Sequence, residues 1–104
     1  MEITKERALI EKLSKDQSAI LAEEILQILG IHDAPGKKMT HDEFCKFVAD
    51  MKHKIANDFN HYDKDGRYTG LFLKSGLSSA DLEIFKDSLI SKAAILVAKR
   101  NFYT

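Results

Sequence analysis

Apolar positions recur at steps of three and four through most of the chain, the spacing that gathers side chains onto one face of an α-helix. Leu21, Ile25, Ile28 and Leu29 follow it, and Gly30 stands where a left-handed cap closes a helix. Ser14 and Gln17 have capping-box spacing, so a helix is predicted over about 15–29 with a break at Ser14. The preceding segment carries Leu9, Ile10 and Leu13, and reads either as a short separate helix or as one that runs on into the next.

Thr40 and Glu43 form the strongest start signal. A capping box there opens a helix whose stripe is Phe44, Val48, Met51, Ile55 and Phe59, with Lys46, Asp50, Lys54 and Asn57 on the opposite face. The short run "LFLKSG" reads as one helical turn or an extended piece. A further helix starts near Ser78 or Ser79 and turns Leu82, Phe85, Leu89, Ala93 and Leu96 inward. Its "AAILVA" segment is apolar all round, which places it at the centre of a bundle or in a contact with another chain. Lys99 and Arg100 suit its carboxyl end, where positive charge opposes the helix dipole.

With no alternating run long enough for a sheet, the pattern predicts an all-α fold: a small four- or five-helix bundle with a short loop or helical turn around residues 61–78. Leu21, Phe44, Phe47, Val48, Met51, Ile55, Phe85 and Leu89 are its predicted core. The length of 104 residues makes residues 1–104 a single helical domain with one modest core. Sixteen basic and sixteen acidic residues cancel, so no overall field collects nucleic acid or anionic membrane. The lone Cys45 has no internal disulfide partner, and "MEITKERALIEKL" is charged from its second residue with no apolar signal core, which together point to the cytoplasm. The longest apolar run, Ala93 to Ala98, is far short of the roughly 20 residues a membrane span needs.

The stretch "HYDKDGRYTG" places Asp63 and Asp65 ahead of Gly66 and resembles the start of an EF-hand calcium loop. With Gly66 at the sixth position, His61 takes the first and Phe72 the last, where the family has oxygen ligands. The connection through Met39 to Glu43 resembles the exit half of such a loop, but His32, Ala34 and Gly36 fall at its entrance positions. Asp63 and Asp65 therefore read as turn residues that bond nearby amides while Gly66 adopts a positive φ; weak metal binding by these two acids is the alternative.

Other chemistries have less to build on. Cys45 reads as a small buried or half-buried residue on a packed helix, and His32, His41, His53 and His61 have no zinc-ligand spacing with it. His53, Asn57 and His61 lie on one helical face at steps of four, read as a solvated face. No phosphate-cradling glycine loop or nucleophile elbow occurs, so no enzyme and no cofactor is expected. A helix-turn-helix-like nucleic-acid regulator is another alternative, with Lys37, Lys38 and Lys46 on the backbone. Against it stand the long connection from Gly30 to Thr40 and the acids Asp42 and Glu43 at the head of the second helix.

What remains is work done on the outer surface. The expectation is a regulatory protein-interaction module, an inhibitor, immunity factor or adaptor that occludes another protein, with a homodimer also open. Ile95, Val97, Arg100, Phe102 and Tyr103 are its candidate partner-binding residues, because aromatic side chains beside an arginine bury area at low entropic cost.

Overall fold

The computed structural model describes residues 2–30 and 39–102, with side chains described over 5–30, 39–74 and 76–100. Among them are five helices and no strand: α1 (Glu2–Leu29), α2 (His41–Asn57), α3 (Phe59–Tyr62), α4 (Arg67–Ser75) and α5 (Ser79–Phe102). The all-α bundle read from periodicity is the fold.

Helix α1 is continuous, which corrects the predicted break. Ser14 is buried and forms no capping box; its hydroxyl donates to the Glu11 carbonyl at 3.0 Å and lies 3.2 Å from the Ser88 hydroxyl. Ser18 does the same one turn later, donating to the Lys15 carbonyl at 2.9 Å. A serine can satisfy itself on the preceding turn without ending a helix, and here that lets two small polar groups sit inside. Gly30 closes α1 at φ 69°, in the left-handed region where glycine meets no Cβ penalty.

The predicted box at α2 is present in full. Glu43 N–H donates to Thr40 Oγ1 at 3.2 Å, and Thr40 N–H donates to Glu43 Oε1 at 3.3 Å. The helix stops earlier than its stripe: Asp58 caps it and Phe59 begins α3, so the buried Phe59 reaches the core from a separate turn. That break also parts His61 from His53 and Asn57, so the three do not share one continuous helical face; all are exposed.

Residues 61–78 hold more than a loop or a single turn. Gly66 takes φ 68°, and the acid three residues before it caps the next helix. Asp63 Oδ1 accepts the Tyr68 N–H at 2.9 Å and Oδ2 accepts the Thr69 hydroxyl at 2.5 Å, starting α4. Gly76 ends α4 in the same left-handed conformation, and Ser78 starts α5 by accepting the Asp81 N–H at 3.3 Å.

Helix α5 organises the rest. Lys92 Nζ donates to the Glu11 carbonyl at 3.3 Å near the start of α1, and Arg100 pairs with Glu23 towards its end, so α1 and α5 run parallel. Helix α2 lies on the other flank and runs the opposite way: Lys52 pairs with Asp87 at 3.4 Å, while its first turn lies by Lys99. Small α5 residues, Ala93, Ala94 and Ala98, are fully buried with Val97, and the lack of bulk there lets neighbouring helices approach closely. Helices α3 and α4 close one side of this layer: Lys86 Nζ stands 5.1 Å from the Phe59 ring centre, and Phe72 meets Phe85 edge to face at 4.9 Å. The molecule measures 43 × 30 × 20 Å, so its thinnest direction is only about two helix diameters.

Candidate functional site

Five predicted core residues, Leu21, Met51, Ile55, Phe85 and Leu89, are buried, whereas Phe44, Phe47 and Val48 are only partly so. Tyr68 and Tyr62, on either side of the Asp63–Gly66 turn, are buried instead. Burial pushes both phenols up from their ordinary range, Tyr68 with help from the nearby Glu24 carboxylate. The Tyr68 hydroxyl closes no hydrogen bond with that carboxylate; Arg67 holds Glu24 Oε1 at 2.6 Å.

Both Asp63 oxygens are engaged at the head of α4, and Asp65 is exposed. Asp63 is thus a cap, as the turn reading expects. Among the described residues no three His, Cys, Asp or Glu side chains come together to hold a metal.

Cys45 corrects the sequence reading. It is exposed, and its sulfur is 3.6 Å from His41 Nε2, one turn back on α2. The pair lies at a shallow groove with Phe44 and Lys99. Among the described residues nothing bonds the far ring nitrogen to orient the imidazole as a base. Lys46 is exposed on α2, whose first turn carries Asp42 and Glu43. Lys37 and Lys38 lie outside the described residues.

The proposed partner-binding residues divide. Val97 is fully buried, because its step from Phe85, Leu89 and Ala93 keeps it on the inward arc, so it cannot meet a partner. Ile95 is 37% exposed, and Arg100 is exposed and paired with Glu23. Tyr103 and the side chain of Phe102 lie outside the described residues.

One row escaped the sequence reading. Ile84 is 58% exposed, and with Ser88, Ser91 and Ile95 it follows the steps 4, 3 and 4 of a single helical face. At about 100° per residue these four fall in an arc of roughly 60°, between α1, where Ser88 meets Ser14, and α2, where Asp87 meets Lys52. Ser88 and Ser91 are half-buried. At its amino end the row borders a groove of 430 Å³ between α1 and α5, lined by Ile10, Ser88, Arg7 and the acids Glu6, Glu11 and Asp81. At its carboxyl end it reaches Lys99 and the His41–Cys45 groove. Ile84 sits beside the inward stripe Leu82, Phe85 and Leu89 without belonging to it, which was the available signal.

No helix among the described residues is long and apolar enough to cross a membrane. Compared with protein-family models, curated proteins and solved structures, the chain matches none.

Proposed function

We propose that the protein is a non-enzymatic interaction module that works by binding and covering another protein surface along the outward arc of α5. The observation that carries this reading is the row Ile84, Ser88, Ser91 and Ile95, with two exposed isoleucines on a helix whose other arc is buried. Complete burial of an isoleucine is worth about 1.5–3 kcal/mol, and Ile84 and Ile95 forgo part of it, so two at helical spacing with small residues between them offer a seat for a partner helix. The groove beside them adds carboxylates that orient a basic partner.

The test is retention of binding proteins on immobilised wild-type chain against the Ile84→Lys and Ile95→Lys variants. Both variants should keep the helical circular-dichroism spectrum of the parent, with the smaller loss of melting temperature at Ile84, the more exposed of the two. Loss of retained protein in both is the expected result. Equal retention by all three baits would remove this arc as the binding surface.

A further inference from the structure

The capping box of Thr40 and Glu43 pins the first turn of α2, where His41 is followed four positions later by Cys45. Residues four apart on a helix are neighbours on one face. Both side chains are exposed, and Cys45 Sγ stands 3.6 Å from His41 Nε2. Thiolate sulfur and imidazole nitrogen are the donors a tetrahedral zinc ion prefers, at bond lengths of about 2.3 Å and about 2.0–2.1 Å. At the tetrahedral angle those bonds set sulfur and nitrogen about 3.5–3.6 Å apart, whereas the right angle of square-planar or octahedral ions sets them at about 3.1 Å. The pair already stands at the tetrahedral span.

We infer that His41 and Cys45 form a two-donor chelate for a borderline-soft divalent cation of the zinc class. Nε2 of the neutral imidazole gives its lone pair while Nδ1 keeps the ring proton, and the Cys45 thiol releases its proton to water as the sulfur–metal bond forms. The groove of 530 Å³ shared with Phe44 and Lys99 leaves room for the rest of the shell, filled by water or by an oxygen or nitrogen atom of an incoming molecule. Nearby charges act in both directions: Lys99 on the groove works against a cation, while Asp42 and Glu43 in the first turn of α2 work for it. Among the described residues no third His, Cys, Asp or Glu joins the pair. A closed structural zinc site takes four protein donors, so this one loads and unloads with the concentration of the ion.

The experiment is titration of the purified, reduced full chain with Co²⁺ alone, read by the near-ultraviolet absorption of a thiolate–cobalt bond, for wild type, His41→Ala, Cys45→Ser and Cys45→His. Both positions are exposed, and circular dichroism of each variant should match the parent. The wild type should give an absorption that saturates at one cobalt per chain and disappears when Zn²⁺, the stronger binder of the two, is added. Loss of an outer-shell partner alone weakens a metal site about 10–100-fold, so removing a ligand with His41→Ala should weaken binding by about tenfold or more. Cys45→Ser should abolish the absorption. Cys45→His keeps two donors four positions apart, and by equilibrium dialysis it should hold cobalt more tightly than Cys45→Ser does. No thiolate–cobalt absorption at millimolar cobalt, the same half-saturation in His41→Ala as in the wild type, or a Cys45→His chain no tighter than Cys45→Ser would overturn the proposal.

Discussion

Helix α5 buries Phe85, Leu89, Ile90, Ala93, Ala94, Val97 and Ala98, while its neighbour α4, just before it in the chain, completely buries Tyr68 alone among its described residues and leaves Leu73 77% exposed. Both are helices bounded by sharp signals, yet different forces hold them. Tertiary burial holds α5, whose side chains fill the space between α1 and α2. Local hydrogen bonding at its ends holds α4, through Asp63, Gly66 and Gly76, with Tyr68 and the half-buried Leu71 and Phe72 as its anchors. The difference shows that a helix can be placed by its caps where packing is thin, and by packing where its apolar residues surround it.

Substitutions can sharpen or break that contrast. The largest effect is expected from Phe85→Ala, which empties the centre of α5 and removes the partner of Phe72; denaturant unfolding should show a loss of about 3–5 kcal/mol. Enlarging a buried small residue with Ala94→Leu should cost about 1–3 kcal/mol by forcing neighbouring helices apart, and an unchanged midpoint would mean the helices are not closely packed there. In α4 the sensitive position is a cap. An added Cβ at Gly66 would meet nothing within 4 Å, so Gly66→Ala should cost only the penalty of φ 68°, about 1 kcal/mol. Smallest is Tyr68→Phe, which deletes a buried hydroxyl with no hydrogen-bond partner while keeping the ring near Phe59; stability should hold or rise, within about 1 kcal/mol.

The same tyrosines set an alkaline limit. Folding raises the Tyr62 and Tyr68 phenols, so the folded state holds their protons more tightly than the unfolded chain does. Their contribution is therefore complete below the unfolded value of about 10 and is lost as pH rises beyond it. Thermal melts should fall steeply above that pH in the wild type and less steeply in Tyr68→Phe.

Much of this arrangement was legible in the residues, because capping and periodicity are local. Thr40 with Glu43, Gly30, Gly66 and the start near Ser78 all stand where their local chemistry puts them. Ser14 misled, since a capping residue and a serine that bonds to its own preceding turn look alike until the neighbouring Ser88 is known. Phe44 and Val48 were overrated for a related reason: an amphipathic stripe shows which side of α2 faces inward, not how deeply the end of that stripe is covered. The outward arc of α5 was hidden because "AAILVA" is apolar all round, so only the packing of α1 and α2 divides Val97 from Ile95.

The parallel pairing of α1 with α5 also governs how the chain reaches its native state. Its bridging contacts join residues far apart in sequence: Ser14 to Ser88 across 74 positions, and Arg100 to Glu23 across 77. Most of the chain must be looped before these contacts form, so folding should be slower than for helical bundles built from adjacent hairpins. During synthesis Leu21 and Ile25 emerge well before the α5 surface that will shelter them, a delay that leaves the young chain open to aggregation or to chaperones.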